Sequence, residues 1–286
     1  MAEDIKAIDV MNYMFTPEVV KPLNDGYEIK LMTETIFGGK GGGMFDGGMS
    51  PETFLAKMDE AGIEKTIITA LKLWSYHDHK LMWDIPIEKV YELTKKYPDR
   101  FIGRASYNPF RIMQSLEEIE RSVKEYGFKG GVYVHSLSFG VFPNDRRMYP
   151  CYTKCIELGI PFSLQVGHSL EALPSEPGRP MHMDTVILDF PELVTILSHT
   201  GWPWCGEIVS LAWKNANVYV DISAHMPLYL DKTIVEFMNT RGRKKTLFGT
   251  NGLPAKDFKD QFMQLGLKEA TNQAVLRDNA IKVFKL

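Results

Sequence analysis

Eight short apolar runs, rich in Val, Ile, Leu, Phe and Thr, alternate along this chain with longer amphipathic segments. The runs are residues 5–10, 65–71, 101–107, 129–135, 160–166, 193–199, 217–223 and 245–250. Runs of this length are typical of buried strands, and the segments between them have the apolar spacing of helices. Because regular strand–helix alternation favours a parallel sheet, eight repeats predict an α/β fold, a (β/α)8 TIM barrel.

The length of 286 residues suits one barrel domain over 1–286, and no linker divides the chain. Local signals mark helix ends: Ser50 before Pro51 predicts a helix start, and Gly62 predicts a helix stop. Residues from about 255 to 286 predict two or three further helices. One long connection, at about 14–50, interrupts the regular alternation of strands and helices. Seven of the 13 residues in its segment FGGKGGGMFDGGM are Gly. We expect a mobile lid over the barrel mouth, with disorder as the alternative.

Composition excludes several classes of protein. The net charge is −3 and no long charged run occurs, so the sequence has no electrostatic signature for nucleic acid or an anionic membrane. The longest apolar runs have strand length, far short of a bilayer span. The N-terminus MAEDIKAIDV lacks the apolar core of a signal peptide. Three cysteines without metal-type spacing predict reduced thiols in a cytoplasmic protein.

Several phrases, taken together and in this order, carry a resemblance to a known family. They are KKYPDRFIGRASYNP (95–109), GFKGGVYVH (127–135), RRMYPCYTKCIELGIPFSLQVG (146–167), PELVTILSHTGWPW (191–204), NVYVDIS (217–223), LFGTNGLP (247–254) and DNAIKVFKL (278–286). Over nearly its full length the chain resembles the amidohydrolase superfamily, in the branch with aminocarboxymuconate-semialdehyde and resorcylate-type decarboxylases. The resemblance implies a metal-dependent-hydrolase-like barrel, a hydrolase or carboxy-lyase activity, and a homodimer.

The resemblance also implies a divalent metal at the C-terminal mouth of the barrel. Its ligands would be an HxH pair ending strand 1, one His each on strands 5 and 6, and an Asp after strand 8. Those positions are held here by Met11, Tyr13, Gln165, His199 and Asn251. Only the His matches, and Met, Tyr, Gln and Asn are poor ligands for Zn²⁺, Mn²⁺ or Fe²⁺. We therefore expect no metal and no cofactor, and Asn251 cannot act as a general base.

Other side chains at predicted strand ends can still move protons. Histidine titrates near neutral pH, and a phenol can donate to a developing oxyanion. The catalytic candidates are His199, His225, His168 and Tyr13. The candidates for substrate binding are Met11, Tyr133, His135, Gln165, Trp202, Asp221 and Asn251. A structural role stays open for each: a hydrogen-bonded core His, an aromatic wall, or a strand-end Asp.

Two further clusters of polar side chains are favoured as surface residues. The HxH pair His77 and His79 lies beyond predicted strand 2, in a predicted loop, and could form a relocated metal site with Asp78. Arg146 and Arg147 could clamp a carboxylate but are favoured as solvated residues.

These residues support one main hypothesis and two alternatives. The main one is a metal-independent hydrolase or lyase that cleaves a C–C or acyl bond by His/Tyr acid–base catalysis. Decarboxylation and retro-Claisen hydrolysis both fit, and the substrate would be a small planar or aromatic carbonyl or carboxylate compound. The alternatives are a non-catalytic binding or regulatory homologue and a hydrolase with a relocated divalent metal.

Overall fold

A computed structural model describes residues 5–36 and 47–286, and it contains the predicted sheet of eight parallel strands. In chain order the strands of the described chain are β1 Ala7–Tyr13, β2 Ile63–Thr69, β3 Lys72–Ser75, β4 Lys80–Asp84, β5 Phe101–Ser106, β6 Val132–Val134, β7 Phe162–Gln165, β8 Thr195–Ser198, β9 Val218–Asp221 and β10 Thr246–Leu247. The sheet order is β1-β2-β5-β6-β7-β8-β9-β10, so neighbours in sequence are neighbours in the sheet. The Gly-rich lid predicted at about 14–50 includes residues 37–46, which lie outside the described residues.

Backbone hydrogen bonds join the first and last strands of this sheet. The Val10 amide donates to the Phe248 carbonyl at 2.9 Å, and the Asn251 amide donates to the Met11 carbonyl at 2.8 Å. Because β1 and β10 would otherwise be sheet edges with unpaired backbone groups, these bonds close the sheet into a barrel. The predicted TIM-barrel fold is therefore confirmed.

Helices cover the outside of the barrel. The described helices are α1 Pro17–Asn24, α2 Tyr27–Thr35, α3 Pro51–Ala61, α4 Ile87–Lys96, α5 Ile112–Lys124, α6 Ser136–Phe139, α7 Tyr149–Leu158, α8 Asp184–Asp189, α9 Cys205–Lys214, α10 Lys232–Asn239, α11 Ala255–Met263, α12 Glu269–Gln273 and α13 Asn279–Phe284, with a π-helical segment Ala274–Asp278 before the last. The predicted start of α3 is confirmed, because the Thr53 amide donates to Ser50 Oγ at 3.2 Å. Gly62 ends that helix at φ 63°, a left-handed conformation that suits Gly.

One element, the two-stranded sheet of β3 and β4, was not predicted from the sequence. The segment around SYHDHK, predicted as a surface loop, is the turn of an antiparallel hairpin formed by β3 and β4. In that turn His79 has φ 54°, and His77 stacks on Tyr27 with ring centroids 4.0 Å apart. The hairpin therefore supports α2 beside the barrel mouth.

The barrel interior and the helix contacts form one continuous core. All three cysteines, Cys151, Cys155 and Cys205, are buried free thiols. Within the described ranges, no helix combines the length and apolarity needed to cross a bilayer.

Candidate active site

A pocket of about 290 Å³ opens at the C-terminal ends of the strands, where TIM-barrel enzymes carry their active sites. The predicted residues that line it are Tyr13, His135, Gln165, His168, His199, Trp202, His225 and Asn251. Three others, Met11, Tyr133 and Asp221, are buried next to the pocket rather than on its wall. Strand-end position therefore brings most of the predicted set together.

His199 is the most extensively held side chain in the pocket. Its Nδ1 lies 2.6 Å from Ser223 Oγ, and the Ser223 hydroxyl makes a short hydrogen bond to Asp221 Oδ1. Because a carboxylate can only accept, the hydroxyl donates to Asp221 and its oxygen accepts the Nδ1–H of His199. Asp221 Oδ1 also accepts from the backbone amides of His199 and Ser223, each at 3.1 Å. This arrangement fixes the ring and leaves Nε2 as its basic nitrogen.

Tyr133 continues this chain on the other side of the imidazole. Its hydroxyl lies 3.1 Å from His199 Nε2 and 3.0 Å from Gln165 Oε1. A phenol has a single proton, so Tyr133 can donate to only one of these two acceptors at a time. One hydrogen-bonded chain, which we call the relay, thus joins Asp221, Ser223, His199, Tyr133 and Gln165.

Burial keeps the acid–base groups of the pocket uncharged. It lowers the pKa of His199 to about 4, against an opposing influence of Asp221. Burial likewise lowers the pKa of His135 and of His225. It raises the pKa of Tyr13 and of Tyr133 above the ordinary phenol value. The pocket therefore presents neutral imidazoles that can accept a proton and neutral phenols that can donate a hydrogen bond.

The backbone is strained at the same place. His199 and Thr200 follow β8 with φ values of 72° and 62°, and Ala224 and Asn251 have φ values of 69° and 58°. Such conformations disfavour residues with a Cβ and cluster at functional sites. Asn251 also has a buried Oδ1 with no hydrogen-bond partner in the described chain. An acceptor left in this state next to a pocket indicates a place for a ligand donor.

Several predicted residues have more specific positions than the sequence indicated. His135 Nδ1 accepts the Ser138 amide at 3.2 Å and so caps α6, which leaves its proton on Nε2. His168 is exposed, lies 2.5 Å through Nδ1 from Ser175 Oγ, and has its ring 5.6 Å from that of Trp202. His168 therefore belongs to the rim of the pocket, away from the relay.

Sequence reasoning missed other residues of the site. Ser223 is the central member of the relay, and its position two residues after Asp221 in one strand-end segment was a usable signal. Arg104 is a buried cation beneath the pocket, where Nε donates to the Gly130 carbonyl at 2.8 Å and Nη1 lies 3.4 Å from Met11 Sδ. Glu171 lines the pocket from the loop after β7.

The ligand positions of the family do not form a metal site here. Met11, Tyr13, Gln165 and Asn251 offer a thioether, a phenol of raised pKa through burial, and two neutral amides. Across residues 5–36 and 47–286, no three His, Cys, Asp or Glu side chains converge to hold an ion. The donor set therefore does not fit Zn²⁺, Mn²⁺ or Fe²⁺.

The outer wall of the pocket is apolar. It is formed by side chains from the end of β1, from α1 to α3 and from the hairpin, including Phe15, Leu23, Met32, Phe54 and Trp83. Helix α2 is anchored by the buried Glu28, whose Oε1 accepts from Ser75 Oγ and from the His77 amide, both at 2.9 Å. A planar ring would fit between this wall and the relay.

Comparison with solved structures finds the same fold in several proteins. An uncharacterised TIM-barrel protein from Bordetella bronchiseptica is 23% identical, with 98% of this chain and 99% of that chain covered and a TM-score of 0.76. A manganese-bound 5-carboxyvanillate decarboxylase from Novosphingobium aromaticivorans is 18% identical, with coverage of 99% and 98% and a TM-score of 0.76. A 2,6-dihydroxybenzoate decarboxylase from Rhizobium is 18% identical, with 98% of each chain covered and a TM-score of 0.69.

A comparison with curated protein sequences finds no significant match. The amidohydrolase family model, in contrast, matches residues 40–286, which is most of the chain. With the barrel and the pocket at its C-terminal mouth, this match identifies an enzyme of the hydrolase or carboxy-lyase kind. The chain belongs to the amidohydrolase family.

Proposed function

We propose that this protein is a metal-independent hydrolase or carboxy-lyase that cleaves a C–C or acyl bond of a small planar carbonyl or carboxylate compound. The observation that carries the proposal is the relay beneath the pocket, with His199 Nε2 at 3.1 Å from the Tyr133 hydroxyl and Nδ1 at 2.6 Å from Ser223 Oγ. Because Tyr133 can donate to Gln165 in place of His199, Nε2 of the neutral imidazole can be freed to take up a proton and return it.

The comparisons support the substrate class. The Novosphingobium decarboxylase holds a substituted nitrobenzoic acid, and the Rhizobium enzyme is named for an aromatic acid. The pocket volume of about 290 Å³ and its aromatic wall suit one such ring. The manganese of the Novosphingobium enzyme does not carry over, because four of the five ligand positions here are unsuited to it.

In the hydrolytic reaction, His199 Nε2 takes a proton from a water molecule as the water oxygen adds to the substrate carbonyl carbon. The adjacent C–C bond then breaks, and its electron pair forms an enolate. Tyr13 and the Nε2–H of His135 are the donors proposed for the enolate oxygen. His199 returns the proton to the enolate carbon, so one water is consumed and the products are a carboxylic acid and a ketone.

In the decarboxylation reaction, His199 takes the proton of a phenol on the substrate and returns it to the ring carbon that bears the carboxylate. The bond to the carboxylate breaks, CO2 leaves, and the electron pair stays on the ring as the phenolate. Both reactions need the same base and the same donors, so the relay serves either.

The two alternative functions have less support from the residues of the pocket. A non-catalytic homologue would not need titratable groups held on both sides, although four substituted ligand positions favour it. A relocated metal has no support among the residues the structure describes, because His77 is engaged by Asp78 at 2.7 Å and by the Tyr27 ring. The proposal also includes a homodimer, from the family resemblance, and a cytoplasmic location, from the three free thiols.

The deciding experiment measures metal content by plasma mass spectrometry on untagged protein, before and after a chelator, together with turnover of planar diketones and hydroxybenzoates. We expect metal far below one ion per chain and turnover that the chelator does not change. His199→Ala should abolish turnover, whereas His182→Ala should not, because His182 is a half-buried His paired with Glu176 outside the pocket. One tightly held Zn²⁺ or Mn²⁺ per chain that turnover requires would contradict the proposal.

A further inference from the structure

The charges around the pocket are strongly one-sided. In the described part of the chain, Glu171 is the only charged side chain that lines the pocket, and no Lys or Arg does. The Ser169 hydroxyl makes a short hydrogen bond to the Glu171 carboxylate and so helps to hold it there. A bound carboxylate would therefore face a negative charge and would find no cation to pair with.

None of the three arginines that could have supplied a cation lines the pocket. Arg147 makes a two-pronged contact with Asp145, with Nε 2.9 Å from Oδ1 and Nη2 2.8 Å from Oδ2, and Arg146 is exposed. Arg104 lies beneath the pocket, with 1% of its surface exposed, and Met11 lies against its Nη1. The carboxylate clamp, which the sequence offered only as the less favoured role for Arg146 or Arg147, therefore has no counterpart in the pocket.

The histidines of the pocket do not compensate for this lack. Burial is the largest influence on the pKa of His135, and it lowers that pKa, while the charge of Glu171 acts in the opposite direction. The pKa of His199 falls to about 4 through burial, so this imidazole is neutral near pH 7. A substrate anion would thus meet neutral rings, for which it would exchange its hydration shell.

Two hydrogen-bond acceptors belong to side chains that line the pocket. The buried Asn251 Oδ1 has no hydrogen-bond partner in the described chain, and Glu171 offers carboxylate oxygens. A carboxylate ligand cannot donate to either, whereas a hydroxyl or an N–H group can. These acceptors and the absence of a lining cation in the described chain therefore favour the same kind of ligand.

We infer that this pocket selects an uncharged planar carbonyl compound that carries an O–H or N–H group over the matching carboxylate, and that Glu171 sets the selection. This inference rests on the proposed function and narrows it, because it favours hydrolytic cleavage of a neutral carbonyl compound over decarboxylation. Like charges brought together in a partly desolvated site cost binding free energy, so the selection follows from electrostatics.

Two probes of nearly equal shape test this selection. 2-Hydroxybenzamide is neutral and can donate N–H and O–H, whereas 2-hydroxybenzoate is ionised near neutral pH. Calorimetric titration of the intact protein should give an affinity for the amide that is about tenfold or more higher than for the carboxylate. Glu171→Gln should strengthen carboxylate binding and leave amide binding nearly unchanged. The ratio of the amide affinity to the carboxylate affinity should therefore decrease.

Glu176→Gln is the matched control, because Glu176 is an exposed carboxylate nearby in sequence that does not line the pocket. It should leave both affinities as they are in the unmodified protein. Equal or tighter binding of the carboxylate, an unchanged ratio in Glu171→Gln, or binding of neither probe would overturn the inference. None of these outcomes depends on metal content or turnover, so the proposed function succeeds or fails separately.

Discussion

The Nδ1 of His199 lies 2.6 Å from Ser223 Oγ, and the same hydroxyl contacts Asp221 Oδ1. Ser223 thus connects the carboxylate to the imidazole, which the carboxylate side chain does not reach in a direct ring contact. Ser223→Ala removes this connection without adding bulk. We expect kcat to fall by about 10- to 100-fold with little change in KM, because Ser223 does not line the pocket.

The pH profile separates this positioning role from a general loss of structure. Without the acceptor at Nδ1, protonated His199 loses a hydrogen bond, so the pKa that burial has already lowered should fall further and the acidic limb of kcat should move to lower pH. Ser122→Ala is a suitable control, since Ser122 is buried but donates only to the Ile119 carbonyl of its own helix. An unmoved acidic limb would contradict the role of Ser223.

Tyr133 is the other contact of His199, and Tyr133→Phe keeps the ring while it removes the hydroxyl. We expect kcat to fall by about 10- to 1,000-fold, in the range of losing one preorganised donor. The cost to folding stability should be about 1–3 kcal/mol, because Gln165 then has an unpaired buried group. Steady-state kinetics and thermal unfolding of the variant measure both effects.

Tyr107→Phe provides the comparison for this variant. The Tyr107 hydroxyl donates to the Arg147 carbonyl at 2.6 Å and does not line the pocket. It should lose similar stability but keep its turnover. If the two variants lose the same fraction of kcat, the relay has no special part in catalysis.

The barrel could be predicted from the sequence because each strand lies in the core and carries the pattern of apolar residues that a buried strand needs. The hairpin of β3 and β4 could not. Its turn, Tyr76 to His79, contains neither Gly nor Asn. His79 adopts a left-handed conformation that nothing in the sequence indicates. Hydrogen bonds to Ser75 and contacts with α2 stabilise that turn.

The candidate site could likewise be predicted from the sequence only in part. His135, Gln165 and His199 could be placed together because parallel strands end on one side of the barrel. The hydrogen bonds that join Gln165 and His199 through Tyr133 could not be predicted, because they depend on strand register and on side-chain rotamers. Glu171 lies in a loop without periodicity, so nothing in the sequence indicated that it would reach the pocket.

Asp9 joins the two strands at which the barrel closes. Its carboxylate accepts from the Thr250 amide at 3.0 Å and from Thr250 Oγ1 at 2.6 Å, and also from the Met11 amide and Asn12. Asp9→Asn replaces one acceptor oxygen by a donor. We expect the free energy of unfolding to decrease by about 1–3 kcal/mol near pH 4, measured by urea denaturation.

The effect of this substitution should depend on pH with a definite sign. Burial raises the pKa of Asp9 from 3.8 to about 6, against the opposing hydrogen bonds. The folded state therefore holds a proton that the unfolded state releases, and this stabilisation is lost as pH rises from about 4 to about 6. Asp9→Asn lacks that dependence, so its deficit should shrink toward neutral pH. Asp25→Asn, an exposed carboxylate near Lys30, should show no such trend.

Glu28 anchors the helix that supplies Met32 to the pocket wall. Its buried Oε1 accepts from Ser75 Oγ and the His77 amide, so Glu28→Ala leaves both hairpin donors unpaired and frees α2 from β3 and the turn. We expect KM to rise by about three- to tenfold with a smaller change in kcat, because the wall contacts the substrate while the relay stays intact.

Limited proteolysis tests whether α2 is indeed the element that loosens. Cleavage within Tyr27–Thr35 should become faster in Glu28→Ala, because local opening costs less free energy once the anchor is lost. Glu34→Ala lies on the same helix but is exposed, so it should change neither cleavage nor KM. A rise in KM without faster cleavage of α2 would mean that Glu28 acts through the charge of the pocket and not through the position of the helix.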